Sequence, residues 1–490
     1  MSRKNAYLLA IGLIFISISV WHIYRAQSDL TVIYLHSTNP PVTIITPSNA
    51  TPATRPSVLI AHGFAGSSVL MRGFAFTLAH AGYTTISWDF QGHGSNPLPL
   101  NRSSQSNDLL QDAESALKAA ESTGLIDTQR LAILGHSMGS GVALSYSMTH
   151  PDTSATISIS PVKQTVTPTQ PRNLLLMAGS LEPQFVANAN QLLSTAGGQG
   201  GDLTKGTARE LEVVPNVEHI SILFSPKAQT TARSWLDATF GPQPGALNYS
   251  DHRVLWYGLG ILGFTVLANA GLNMISSSSQ IMISQKPLRL RLVAILGGGI
   301  VATIILWLVS LIGAKLDQLL GLLVGGYLIV WFGVAGLIAL LIFRPHIPRP
   351  RIRVLIKGLI ALAALWLGVG LLGNFVWLSW LLIPYRFWIW IPSTIILIPW
   401  FFTVGSVAER AKPAVQMGWW IFQAITILLS LYLAIMLNPE LGFLFIILPL
   451  VLVMIGLHML VIYSKHGTWA YAISGAMFTT WLILAVFPLQ

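Results

Sequence analysis

In Leu131-Ala132-Ile133-Leu134-Gly135-His136-Ser137-Met138-Gly139, a short apolar run meets a serine framed by two glycines. The run has the length and composition of a buried strand, and the next segment, 138–149, carries a helical pattern. A serine at a sharp strand-to-helix turn needs small neighbours, and the G-x-S-x-G spacing of Gly135, Ser137 and Gly139 supplies them. Such a turn presents the Ser137 hydroxyl above the sheet, near a helix N-terminus that favours developing negative charge. An ordinary glycine-rich turn with a capping serine would not call for this strand before it and this helix after it.

The same alternation continues on both sides. Strand-length apolar runs lie at 58–61, 84–88, 155–160, 174–177 and 210–214, each ending at a glycine, proline or polar residue. Helical patterns fall between them, near 70–81, 108–123, 184–195 and 226–239, and 197–201 reads as a flexible loop. Strand and helix in alternation predict an α/β fold with a mostly parallel sheet covered on both faces. The predicted domain covers 29–240, and a linker rich in Gly, Pro and polar residues covers 241–253.

Beyond the linker the character changes. Of the 490 residues, 53% are hydrophobic and only 9% charged, against roughly 25% charged in soluble domains. The deficit is concentrated in 254–490, which reads as an all-α polytopic membrane domain with spans near 254–273, 292–313, 318–342, 354–373, 384–404, 416–437, 441–463 and 468–488. Each is long enough for a hydrocarbon core of about 30 Å. Residues 1–28, with Arg3 and Lys4 ahead of an apolar run flanked by Trp21 and Tyr24, read as a retained signal anchor, although Ala26-Gln27-Ser28 loosely resembles a cleavage site.

Charge placement gives a topology. With the N-terminus inside, the inner loops carry Lys286, Arg289 and Arg291, then Arg344 to Lys357, then Arg410 and Lys412, then Lys465; the outer loops carry only Lys315 and Arg386. Basic residues favour the cytoplasmic side, so the α/β domain is expected on the extracytoplasmic face of the cell membrane. The net charge of +10 is thereby a topology signal, and no nucleic-acid partner is expected. Absence of cysteine removes disulfides and thiolate metal sites. The dispersed histidines form no metal-binding pattern, so neither metal nor cofactor is expected.

Two further motifs complete a set. His62-Gly63-Phe64-Ala65-Gly66-Ser67 follows one predicted strand, and Trp88-Asp89-Phe90-Gln91-Gly92-His93-Gly94-Ser95 closes the next. Together with the serine turn, in this order and spacing, they resemble the α/β-hydrolase superfamily, in particular compact serine hydrolases of the monoacylglycerol lipase, esterase and serine aminopeptidase kind. The resemblance covers 57–237 and is silent on the membrane domain. It implies an oxyanion hole built from the backbone N–H groups of Phe64 and Met138, and a turn after Trp88 held by Asp89. It also implies a Ser–acid–His order along the chain.

A serine hydroxyl needs a base within hydrogen-bond reach, and the base needs an orienting acid. His219, after the last strand, is the base expected; no other histidine lies between Pro151 and the linker. Glu182, after the 174–177 strand, is the acid expected, where the family more often has Asp; its longer arm calls for a slightly retracted backbone. Glu218 adjoins His219 too closely to face it, and Asp152 comes too early. His62 and His93 are expected to be structural. Only 162–172 separates two strands where related lipases insert a lid, so an open site is expected. In the membrane domain His458 reads as a hydrogen-bonded interhelical histidine, and glycine clusters such as Gly297-Gly298-Gly299 suit close helix packing. These expectations add up to a membrane-tethered serine hydrolase acting on an ester, thioester or amide of an acyl-containing small molecule or lipid. An acyltransferase of the same mechanism, and an inactive sensor or binding module on a transporter-like domain, are the alternatives.

Overall fold

The computed structural model describes residues 3–48, 55–101, 105–275, 286–379, 384–408, 412–462 and 467–490. The expected inner-loop residues Arg410 and Lys465 lie outside them. Helix α1 (Arg3–Arg25) comes first. A sheet then forms from β1 (Leu30–Leu35), β2 (Val42–Pro47), β3 (Pro56–Ala61), β4 (Thr84–Trp88), β5 (Asp127–His136), β6 (Ala155–Ile159), β7 (Leu174–Gly179) and β8 (Arg209–Val214). Helices α2 (Arg72–His80), α3 (Gln105–Glu121), α4 (Met138–Thr149), α5 (Pro183–Thr195) and α6 (Pro226–Phe240) alternate with the later strands.

The spatial order is β1-β2-β4-β3-β5-β6-β7-β8. From β4 to β8 every neighbour pair is parallel, while β1–β2 and β2–β4 are antiparallel. Strands β3, β4, β6 and β7 are buried along their whole length, as parallel strands covered on both faces must be. The period-two alternation is visible in β7. Leu175 and Met177 join one core with Phe74 of α2 and Leu236 of α6, while Leu174 and Leu176 join another with Leu144 of α4 and Leu192 of α5. All six apolar runs read from the sequence are strands. The hairpin β1–β2 was not among them, although Leu30-Thr31-Val32-Ile33-Tyr34-Leu35 is rich in β-branched and aromatic residues.

The remaining helices are α7 (Arg253–Met274), α8 (Leu288–Leu311), α9 (Gly325–Phe343), α10 (Ile352–Leu365), α11 (Pro384–Ala408), α12 (Pro413–Leu437), α13 (Leu444–Val461) and α14 (Thr468–Val486). Helix α10 runs on through a π-helical turn, Trp366–Leu371. Among the described residues, nine helices including α1 are long and apolar enough to cross a membrane. These helices fit a multi-pass membrane protein. The expected span at 318–342 starts later, because Leu316–Gly321 forms a short 3-10 turn and the helix begins at Gly325. Small residues bring helices together: a Cβ on Gly298 of α8 would lie 2.6 Å from the Ala335 carbonyl of α9, and one on Gly336 of α9 would lie 2.2 Å from the Trp400 amide of α11. Buried Arg386, in the first turn of α11, donates to the carbonyls of Leu484 and Phe487 at the end of α14. His458, in the last turn of α13, is bonded through Nε2 to Ser474 Oγ at 2.9 Å.

Two compact units emerge. One comprises Met1–Val20, Gly258–Leu372 and Leu381–Phe487; the other comprises Trp21–Tyr257, Gly373–Trp380 and Pro488–Gln490. The sheet-bearing unit thus draws on three separate stretches of chain. Arg72 donates to the Asn374 carbonyl at 3.0 Å and Arg253 to that of Phe375 at 2.8 Å. The Leu489 amide donates to the Gly92 carbonyl, and the Leu489 carbonyl accepts from the Leu100 amide, both at 2.9 Å.

Candidate active site

Ser137 occupies the turn between β5 and α4 with φ +53° and ψ −117°. That conformation costs a non-glycine residue on the order of 1–3 kcal/mol and persists only where the surroundings impose it. They do so through both glycines. A Cβ on Gly135 would sit 2.0 Å from the Gly139 carbonyl oxygen, and one on Gly139 would sit 2.5 Å from the carbonyl oxygens of Ala61 and His62. The start of α4 is thereby pressed against the end of β3, and the Ser137 amide donates to the Ile159 carbonyl of β6 at 2.9 Å.

His219 lies after β8, and its Nε2 is 3.0 Å from Ser137 Oγ. Its Nδ1 is 2.8 Å from Glu182 Oε2. Because the carboxylate oxygen only accepts, Nδ1 carries the proton, and the Nε2 lone pair is left to accept the serine hydroxyl. Both His219 and Glu182 are buried. Glu182 ends the turn after β7, where its amide donates to the Gly179 carbonyl at 3.1 Å. Its side chain folds back over that turn, so that Oε1 accepts the Gly179 amide at 2.6 Å and the Ser160 hydroxyl at 2.7 Å. Gly179 itself must lack a side chain, since a Cβ there would meet the Val217 carbonyl at 2.4 Å.

The other carboxylates are engaged elsewhere. Glu218 caps the turn after it, accepting the amides of Ile220 and Ser221 at 2.9 and 2.7 Å. Asp152 is exposed in the turn following α4. His62 bonds through Nδ1 to the Gly63 carbonyl at 2.8 Å and through Nε2 to the Phe90 amide at 3.1 Å. Those partners require the neutral Nδ1–H tautomer, in keeping with burial that lowers its pKa. Asp89 accepts the amides of Ser68 and Ser95 and the Ser95 hydroxyl, at 2.7, 2.8 and 2.7 Å. It therefore fixes its own turn and ties it to the loop carrying Phe64. His93 bonds the Gln91 carbonyl and meets the Phe64 ring edge-on, with centroids 5.6 Å apart. Phe64 and Met138 are half-buried, and Met138 is the first residue of α4, where a helix leaves its amides without intrahelical partners.

Three residues around this cluster escaped the sequence reading. Ser160, fully buried with φ +47°, holds the glutamate. His136 donates from Nε2 to the His219 carbonyl at 2.9 Å; burial and the adjacent His219 ring push its pKa well down, so it is neutral. Phe185 stacks on the His219 ring at 4.3 Å. The strand order carried a usable signal for Ser160: β6 lies between the strand of the serine and that of the acid, so the residue just past β6 comes up between them. No regular element is inserted between β6 and β7. Among the described residues, no group of three or more His, Cys, Asp or Glu is placed to hold a metal ion.

Residues 52–219 match the family described as serine aminopeptidase, S33. The fold is that of the α/β-hydrolases. The match runs from ahead of β3 to His219. An uncharacterised 31.7 kDa protein of Escherichia coli, from the traX-finO intergenic region, is 33% identical over 90 residues, which is 18% of this chain. The chain spans 30% of the length of the curated relatives it matches. A solved CIB-like hydrolase from Thermoplasma acidophilum shares 19% identity, with a TM-score of 0.34 over 43% of this chain and 97% of its own. A membrane phospholipase A, described as a bacterial virulence factor, shares 15% identity, with a TM-score of 0.34 over 48% of this chain and 92% of its own.

Proposed function

We propose that the chain is a membrane-tethered serine hydrolase that cleaves an acyl bond through a covalent acyl-enzyme. The observation that carries this reading is the continuous relay from Ser137 Oγ to His219 Nε2 and from His219 Nδ1 to Glu182, at 3.0 and 2.8 Å. Ser137 Oγ attacks the carbonyl carbon of an ester, thioester or amide while its proton passes to His219 Nε2. Glu182 keeps the imidazole in the tautomer that can accept this proton and stabilises the imidazolium. The amides of Phe64 and Met138 receive the oxyanion. The intermediate collapses by expelling the leaving group, which takes the proton from Nε2. Water then attacks the acyl carbon and gives a proton to Nε2; the acyl–Oγ bond breaks, the acid departs, and Ser137 Oγ takes that proton from Nε2.

The hydrolase is proposed to face the extracytoplasmic side. Its three stretches follow one, five and nine candidate spans, all odd, as segments on one face must if each helix crosses once. The opposite helix ends and loops hold Lys286, Arg289, Arg291, Arg344, Arg349 and Lys412. Anchoring beside a bilayer raises the local concentration of lipid-borne acyl groups, so a lipid or lipid-linked substrate is the class proposed. The test is labelling of intact cells with a membrane-impermeant fluorophosphonate. Labelling of wild type and none of Ser137→Ala is the result expected. A folded, surface-exposed wild type that takes no label overturns the reading and leaves a binding module in its place.

A further inference from the structure

Where α1 ends and α7 begins, the hydrolase unit carries two adjoining clefts, separate from Ser137. The first, of about 280 Å³, is lined by His22, Arg25, His80, His252, Arg253 and Trp256 among others. The second, of about 790 Å³, runs along the edge strand β1 and is lined by Trp21, Tyr24, Arg25, Leu30, Val32 and Tyr34 among others. Arg25 and Ser28 border both, and neither lining includes a carboxylate.

The basic side chains are not equivalent. Arg253 is spent: its guanidinium grips Asp251 through two bonds of 2.8 and 2.7 Å and also bonds the Phe375 carbonyl. His80 is structural, stacked on Tyr249 at 4.2 Å and bonded to the Ala26 carbonyl, with burial lowering its pKa. Arg25 and His252 are exposed, and among the described residues Arg25 forms no ion pair. Between them His22 stacks flat on Trp256, with centroids 3.7 Å apart, making a rigid wall. Trp21 and Tyr24, exposed by 65% and 73%, flank Arg25 as amphipathic rings do at headgroup depth.

Position selects the occupant. Residues 22–25 form the last turn of one candidate span and 253–256 the first turn of another, so the clefts open where hydrocarbon gives way to headgroups. A guanidinium is suited to a phosphate oxygen pair, and the apolar second cleft offers a surface to the attached glycerol and chains. We propose that this double cleft binds an anionic glycerophospholipid of the surrounding bilayer, with its phosphate on Arg25 and His252 and its apolar portion along Trp21, Tyr24 and Val32. The hydrolase is thereby seated on a lipid of chosen charge.

The test uses the full chain in detergent with phosphatidylglycerol and phosphatidylcholine in competition, counting retained lipid by native mass spectrometry. Wild type is expected to retain phosphatidylglycerol preferentially. A basic residue near an anionic surface contributes enough for about a five-fold effect, so Arg25→Gln is expected to lower the preference about five-fold and His252→Gln to lower it less. Arg25→Lys should retain most of it. Lys205→Gln, which removes an equal charge from an exposed pair with Asp202, should change nothing. Equal effects of Arg25→Gln and Lys205→Gln would overturn the site. So would loss of the preference when inorganic phosphate is added, because a free anion and not a lipid would then be the ligand.

Discussion

Replacing Ser160 with alanine removes a single buried hydroxyl, yet the geometry makes it count. That hydroxyl donates to Glu182 Oε1 at 2.7 Å, and among the described residues only the Gly179 amide, at 2.6 Å, shares the same oxygen. A hydrogen bond to a charged group is worth roughly 1.5–3 kcal/mol, and each ~1.4 kcal/mol of barrier is about tenfold in rate. Because the Gly179 amide remains, the lower end applies, and an activated Ser137 should react about tenfold more slowly. The assay is the second-order rate constant for fluorophosphonate labelling of the full chain, which needs no knowledge of the substrate. Ser160→Gly separates the two roles of this residue. It loses the same hydroxyl but relieves the backbone strain of φ +47°, so it should label as slowly as Ser160→Ala while melting higher. If either variant labels at the wild-type rate with Ser137 intact, the glutamate is not held by Ser160 in any way that matters to the nucleophile.

Four other outcomes are expected. Glu182→Asp shortens an arm pinned at both oxygens, and a displacement on the order of 1 Å should cost about 100-fold in labelling rate. His136→Leu leaves the buried His219 carbonyl without its donor, which should lower the thermal midpoint and slow labelling together. Gly139→Ala drives a methyl into the Ala61 and His62 carbonyls, so no labelled, folded protein should be recovered. Asp112 gives a pH signature: burial pushes its carboxyl from the ordinary 3.8 up to about 6. The folded state therefore holds that proton more tightly than the unfolded state. The stability it contributes is complete below 3.8 and is lost as the pH rises through about 6. Asp112→Asn should flatten the wild-type fall in thermal midpoint over that window, and an unchanged slope would show that the carboxyl does not titrate there.

Much of this architecture was legible because its signals are local. The G-x-S-x-G turn announces itself by glycines whose absent side chains are needed within a few residues, and β3 to β7 show as apolar runs because parallel strands inside the sheet are buried on both faces. The spans show as long apolar stretches by the same logic. The β1–β2 hairpin was less visible: β1, at the sheet edge, is only half-buried, so its pattern is mixed. Ser160, His136 and Phe185 depend on which strands become neighbours. No local pattern distinguishes a serine that follows β6 and holds the acid from one that merely leaves the sheet. Glu182 was legible by order, but its pinning by Gly179 and Ser160 was not, since that contact exists only once β6 and β7 pair.

The threading of the hydrolase through the chain has a consequence for how it is made. Its sheet is complete by residue 214, but Arg72 and Arg253 find the carbonyls of Asn374 and Phe375, and Gly92 finds Leu489, only after far more chain has left the ribosome. Domains generally fold as they emerge, N-terminal parts first. Here the turn that packs His93 against Phe64 waits for a partner translated after α14. A polypeptide truncated before Leu489 would carry every residue of the Ser–His–Glu relay and still lack the two hydrogen bonds that Leu489 makes with Gly92 and Leu100. The sheet-bearing unit thus makes its full set of bonds only once residues 373–380 and 488–490 are in place.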